Sequence, residues 1–160
     1  MHRFRHFLMR KSRIITADKN CGKTTYMKSL AALDCNAIGF FSEKDSSSYS
    51  LVNIIDGNKE ILLSLNPISQ SRFRKWYVNE SAFKNALLYI QHCNLDDSVL
   101  YLDEVGILEC ENRGFAPILD YAYRLDASVV ITVRTSILSD VLSSYPFLQE
   151  AEILQVPLLL

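Results

Sequence analysis

The sequence predicts an α/β fold, with a mostly parallel sheet, crossover helices and an inserted β-hairpin. Three observations predict it. Apolar runs of strand length alternate with helical patterns along the chain. The run Arg13-Ile14-Ile15-Thr16-Ala17 leads through a polar turn into Gly22-Lys23-Thr24-Thr25, a strand-to-helix junction. A second apolar run, Val99-Leu100-Tyr101-Leu102, ends on Asp103-Glu104.

The elements follow in order. Arg13 to Ala17 reads as the first strand, and Lys23 to about Leu33 as the first helix. Tyr26, Met27, Leu30 and Leu33 are expected on its apolar face. Ala37 to Phe41 is a second strand, and Lys44 to Ser48 a polar turn. Tyr49 to Ile55 and Lys59 to Leu65 flank Asp56-Gly57-Asn58, and Asp-Gly between two β-type runs signals a hairpin. Asn66 to Lys75, with Pro67 and several serines, reads as a loop before a short strand at Trp76 to Val78. Asn79 or Ser81 can cap a helix running to about His92, with Phe83, Leu87, Leu88 and Ile90 apolar. Val99 to Leu102 is a buried-type strand. Phe115 to Leu125 reads as a helix, with Pro117 tolerable in its first turn. Ala127 to Val133 is a strand, Ser136 to Ser144 a short helix and Glu152 to Val156 a last strand.

The 160 residues suffice for one domain with a proper core. The expected division is a basic extension over 1–12 and an α/β domain over 13–160. The extension alternates His2, Arg3, Arg5, His6, Arg10 and Lys11 with Phe4, Phe7, Leu8 and Met9. It lacks the long apolar core and cleavage site of a secretory signal. With 49% apolar and 22% charged residues and a net charge of -1, nothing global argues for nucleic acid or a membrane as partner. The cysteines Cys21, Cys35, Cys93 and Cys110 are scattered, with no C-x-x-C pair. A reduced, cytoplasmic setting is expected.

The first junction reads as the second half of a phosphate-binding loop, whose usual pattern is G-x-x-x-x-G-K-[ST]. Such a turn aims backbone N–H groups and a helix N-terminus at an anion. The candidate nucleotide-binding residues are Ala17, Asp18, Lys19, Asn20, Cys21, Gly22, Lys23, Thr24 and Thr25. Lys23 is expected to reach the outer phosphates, and Thr24 to offer its hydroxyl to Mg²⁺. Ala17 replaces the first glycine, and Asn20 stands where many such loops carry another. Both changes are mild: Ala17 permits the turn if its φ is negative, and Asn enters the left-handed region more readily than other residues with a Cβ. Cys21 is either a small packing residue or a thiol activated at a helix N-terminus.

The second junction, about 80 residues further on, supplies two carboxylates at a strand end. Asp103 is expected to hold Mg²⁺, and Glu104 to orient or deprotonate an attacking water. The two motifs together resemble those of P-loop NTPases, and the resemblance implies their three-layer fold.

Asp103-Glu104-Val105-Gly106-Ile107-Leu108-Glu109 resembles the D-E-I-G-x-M-E run of a small P-loop nucleoside-triphosphatase family of the thermophile and human cancer-related type. Ile38-Gly39-Phe40-Phe41-Ser42-Glu43 resembles its G-F-x-T-x-E strand end, and Trp76-Tyr77-Val78 before Phe83 its G-x-Y-x-V segment. The resemblance implies slow, Mg²⁺-dependent hydrolysis of nucleoside triphosphates with loose base selectivity. It implies Ala17 to Thr25 as phosphate loop, Asp103 as metal carboxylate and Glu104 as base. Gly106 and Glu109 fall on the family's following glycine and acid, and Glu109 either orients a site residue or holds the loop.

An arginine often stabilises developing charge in phosphoryl transfer. Arg134, at a strand's C-terminal end, is the favoured candidate, ahead of Arg113, Arg72 and Arg74. Trp76, Tyr77 or Phe41 either stacks on a base or packs in the core. The main expectation is therefore an enzyme releasing phosphate from a nucleoside triphosphate. The rivals are a nucleotide-binding switch or adapter, with a partner protein and little turnover, and a small-molecule or nucleoside kinase. Arg72-Phe73-Arg74-Lys75 would serve that kinase as a basic lid.

Overall fold

The computed structural model describes residues 11–156. The basic extension lies outside the described residues except for Lys11 and Ser12, as does the tail from Pro157 to Leu160. In chain order the strands are β1 (Arg13–Ala17), β2 (Ala37–Lys44), β3 (Ser48–Asn53), β4 (Lys59–Ser64), β5 (Arg72–Phe73), β6 (Trp76–Val78), β7 (Val99–Leu102), β8 (Ser128–Arg134) and β9 (Glu152–Gln155). The helices are α1 (Lys23–Leu33), α2 (Glu80–Gln91), α3 (Ile107–Cys110), α4 (Ala116–Arg124) and α5 (Leu138–Ser144), with 3₁₀ turns at Thr135–Ile137 and Pro146–Glu150.

Among the described residues the nine strands form one mixed sheet in the order β5-β6-β4-β3-β2-β7-β8-β1-β9. The half from β2 to β9 is parallel, and β3 to β6 pair antiparallel beyond it. The inner parallel strands β1, β7 and β8, with the first half of β2, are buried on both faces, so they read as continuous apolar runs rather than alternating ones, whereas the edge strand β9 is largely exposed. Along β7, Leu100 and Leu102 pack on the α2–α4 side, while Val99 and Tyr101 pack with Met27 and Ala31 of α1 on the other. Helices therefore cover both faces. No helix among the described residues is long and apolar enough to cross a membrane.

Three expectations change. The buried residues of α1 are Lys23, Met27 and Ala31, whereas Tyr26 and Leu33 are exposed. Lys23 must lie against the sheet end, and its i+4 and i+8 neighbours then face inward with it. In α2 the buried residues are Ala82, Phe83, Ala86 and Ile90, and Leu88 points outward. The small alanines let the helix approach the sheet, which apolarity alone does not reveal. The expected loop over Asn66 to Lys75 contains the two-residue strand β5, paired antiparallel with β6 through Arg72↔Tyr77 and Phe73↔Trp76. Asn79 is the cap of α2, its side chain accepting from the Ala82 N–H at 3.3 Å.

Register aligns the strand ends. Ala17 lies opposite Arg134, Phe40 opposite Leu102, and Leu102 opposite Ile131. The residues that follow these pairs therefore converge at the C-terminal edge of the parallel sheet. Open α/β sheets bind their ligands there.

Candidate active site

β1 ends at buried Ala17, whose φ is not positive. The chain reverses through Asn20 at φ 59° and Gly22 at φ 85°. The left-handed conformation is therefore carried at position 20 by a residue that tolerates it, and no glycine is required at 17. A Cβ on Gly22 would meet no atom within 4 Å, so its dihedral, not crowding, calls for glycine. The Gly22 carbonyl accepts from the Tyr26 N–H at 2.9 Å and starts α1. The loop thus faces the positive end of an 11-residue helix.

Lys23 is 5% exposed, and its ammonium donates to the carbonyls of Asp18 at 2.8 Å and Ala17 at 3.3 Å. The charge is folded back over the loop's own backbone. One residue on, the Thr24 hydroxyl donates to Asp103 Oδ2 at 2.8 Å. Asp103 is 2% exposed and accepts twice more, from the Ser42 N–H at 3.0 Å and from the Thr132 hydroxyl, onto Oδ1, at 2.6 Å.

Glu104 has φ 61°, unusual for a residue with a long side chain. Its N–H donates to Thr132 Oγ1 at 2.7 Å, and the next N–H, Val105, donates to the Thr132 carbonyl at 3.0 Å. The Glu104 carboxylate lies 3.9 Å from the Arg134 guanidinium. Desolvation and then the Asp103 charge push its carboxyl above the ordinary value, opposed by Arg134, Lys23 and Lys44.

These groups line one cavity of about 330 Å³: Lys19 to Thr25 from the loop, with Ser42, Lys44, Tyr49, Glu104 and Arg134. Asp103 lies buried beneath it, and Ala17 and Asp18 reach it through the carbonyls that hold Lys23. A larger concavity, about 550 Å³, lies between α2 and α4, where Leu87, Pro117 and Tyr123 line it, and it holds none of the motif residues.

Other candidates lie elsewhere. Arg113 is held by Ser71, Glu80 and the Arg72 carbonyl. Arg72 stacks over Tyr77 at 4.2 Å and Arg74 sits over Phe73 at 5.4 Å. Neither they nor Lys75 line the cavity. Trp76 meets Tyr49 edge-on at 5.2 Å, and Phe41 lies under the Lys28 ammonium at 5.5 Å. Of these aromatics Tyr49 is the one that reaches the cavity, and the sequence reading did not single it out. Ser42, Lys44 and Thr132 were missed as well. Ser42 and Thr132 sit at the C-terminal ends of parallel strands, which is the signal that marks them. Glu109 lies off the cavity and holds the loop: its carboxylate accepts from the N–H groups of Gly106 at 2.7 Å and Phe115 at 3.0 Å.

Thr24 and Asp103 offer one hydroxyl and one carboxylate at adjoining points. Among the described residues no group of three or more His, Cys, Asp and Glu could form a metal cage. Such a sparse oxygen set suits Mg²⁺, which keeps several waters and takes its remaining ligands from phosphates.

The NTPase family model matches residues 12–158. The chain is 27% identical to the nucleoside-triphosphatase THEP1 of Thermotoga sp. over 128 residues, spanning 77% of this chain and 74% of that one. To the protein of the same name from Thermotoga maritima it is 26% identical with the same coverage. The crystal structure of THEP1 from the hyperthermophile Aquifex aeolicus superposes with a TM-score of 0.70 at 22% identity, covering 92% of this chain and 89% of that one. The solution structure of a human cancer-related nucleoside triphosphatase gives 0.65 at 16%, with the same coverage. These two likenesses concern the fold.

Proposed function

The chain belongs to the NTPase family, and from that membership we propose that it is an enzyme hydrolysing nucleoside triphosphates to diphosphate and phosphate, with Mg²⁺ and loose base selectivity. The observation that carries the reading is the contact between the two motifs, Thr24 Oγ1 on Asp103 Oδ2 at 2.8 Å, with Glu104 and Arg134 beside it in the same cavity.

The loop N–H groups and the α1 N-terminus receive the phosphates. Lys23 exchanges the carbonyls of Ala17 and Asp18 for phosphate oxygens, trading two neutral acceptors for a charged one. Thr24 and Asp103 would hold the metal, which when bound would offset negative charge on the phosphates. Glu104 aligns a water with the terminal phosphorus and takes its proton as the new P–O bond forms. The bond to the bridging oxygen breaks and its electrons leave with the diphosphate. A carboxyl pushed above its ordinary value is a stronger base than an unperturbed one, which suits that task. Arg134 offsets the charge that develops on the transferred group. Tyr49 lines the cavity, and an aromatic face stacks on any base alike, which supports loose base selectivity.

The test is phosphate release across a panel of nucleoside triphosphates, with and without Mg²⁺, on the native chain and Lys23→Ala. Release that needs Mg²⁺ and falls by about 100-fold or more in Lys23→Ala is expected. An unchanged rate in that variant overturns the mechanism. Tight binding of a non-hydrolysable analogue with no phosphate released turns the reading to a switch.

A further inference from the structure

Glu104 holds a left-handed backbone conformation that a side chain disfavours, so its neighbours must hold it in place. On the β8 side Thr132 does so twice, through its hydroxyl and its carbonyl. On the other side the restraint is the Gly106 N–H, donated to Glu109 Oε2 at 2.7 Å. We infer that Glu109 is the positioning residue of Glu104: by gripping the N–H groups of Gly106 and Phe115 together, its carboxylate locks the loop that aims Glu104 into the cavity. The inference rests on the proposed role of Glu104.

The place of Glu109 is built for a carboxylate. The residue is 3% exposed. Oε1 takes the Phe115 N–H at 3.0 Å while Oε2 takes the Gly106 N–H at 2.7 Å, so each oxygen serves its own donor. A glutamine has one acceptor oxygen, and its amide NH₂ would face the other donor. Gly114, at φ 61°, leaves open the space beside Oε1, and a Cβ there would collide with that oxygen. The Tyr145 hydroxyl donates to the Glu109 carbonyl at 2.8 Å and fixes the residue's own backbone.

The titratable and charged groups around Glu109 are Glu104 on the same loop, Cys110 next to it, Tyr145 after α5, and Asp120 of α4, which acts on Tyr145. None is a cation, and Glu109 forms no ion pair among the described residues. Burial pushes its carboxyl up to about 7, against the N–H groups of Phe115, Gly106 and Glu109 itself, which favour its ionised form. A protonated carboxyl offers its hydroxyl to one of the donors and loosens the grip, so the lock weakens on the acid side of neutrality.

The experiment compares the full-length chain with Glu109→Gln and Glu109→Asp. It reads kcat and KM for the Mg²⁺-nucleotide, and the backbone amide signals of Glu104, Gly106 and Phe115 by NMR, between about pH 5.5 and 8.5. In Glu109→Gln, kcat is expected to fall by about 10- to 100-fold, with KM changed by less than about twofold. In the native chain the three amides are expected to titrate together near 7. In Glu109→Gln that titration disappears, and in Glu109→Asp it persists with a partial rate. A merely structural role would lower the melting temperature and leave the kcat of the folded protein unchanged. An unchanged kcat, a KM that rises as much as kcat falls, or a Glu104 amide that ignores Glu109 overturns the inference. The native-chain titration needs neither catalysis nor a folded variant. It therefore separates failure of this inference from failure of the hydrolase reading.

Discussion

Thr24 and Asp103 stand 79 positions apart and share a hydrogen bond of 2.8 Å. The contact joins the helix after β1 to the end of β7, two strands that are not neighbours in the sheet, since β8 lies between them. Thr132 of β8 completes the bridge from beneath through Asp103 Oδ1. Asp103→Asn keeps the size but leaves one acceptor oxygen where two are in use. Mg²⁺-dependent phosphate release is expected to fall by about 100-fold or more, whereas Thr24→Ser, which keeps the hydroxyl, stays within about threefold of the native rate. A Mg²⁺ titration of phosphate release checks both.

Restoring glycines to the phosphate loop is expected to bring no gain. Ala17 is a strand residue opposite Arg134, so Ala17→Gly lowers stability by about 0.5–1 kcal/mol and leaves turnover unimproved. Asn20 already holds φ 59°, so Asn20→Gly is close to neutral, whereas Asn20→Val costs about 1–2 kcal/mol. Denaturant melts beside steady-state rates decide it. A faster Ala17→Gly enzyme would contradict the account.

Gly39 crosses close to β7 at φ 117°, and a Cβ there would run into the Tyr101 carbonyl. Both residues lie on the path to the site, since Asp103 follows Tyr101 by two positions and Ser42 follows Gly39 by three. Gly39→Ala is expected to destabilise by about 3 kcal/mol, lowering the melting temperature by roughly 6–12 °C in a thermal melt.

Glu109 also makes stability depend on pH. Its folded value, about 7, is raised above the unfolded value of 4.5. The folded state therefore holds a proton that the unfolded state has released. Stability from this group is fully present below 4.5 and is lost as pH rises through 7, by on the order of 3 kcal/mol. Glu109→Gln, which never ionises, is expected to flatten that decline in denaturation midpoints taken across the window. An equal slope in both proteins would exclude Glu109 as its source. The ionised carboxylate that grips Gly106 is thus the less stable form, and the lock is held at the expense of folding stability.

Much of the element order was legible because it depends on local rules. Lys23 to Leu33, Trp76 to Val78 and Val99 to Leu102 form with the bounds their patterns predict. The helix starts at its glycine-lysine turn, and the two strands are apolar or aromatic runs bounded by polar residues. The left-handed turn at Asn20 was legible for the same reason, since residue sterics alone favour Asn there. The short elements were not. β5 and α3 span two and four residues, too few for any periodicity, and each exists through its neighbours: β6 pairs with the first, and the Glu109 carboxylate ties the start of the second.

By itself the sequence determined the alternation of strands and helices, the phosphate-type turn before Lys23 and the acidic end of β7, each encoded within a few adjacent residues. Tertiary structure alone decided which strands are neighbours and in what register. It thereby brought Ser42 and Thr132 onto Asp103, Lys44 and Tyr49 into the cavity, Arg134 to within 3.9 Å of Glu104, and left Arg113 away from it. Register is a property of paired strands, and burial a property of packed faces. Neither is written in any one segment, so the partners of a site residue emerge only when the sheet closes.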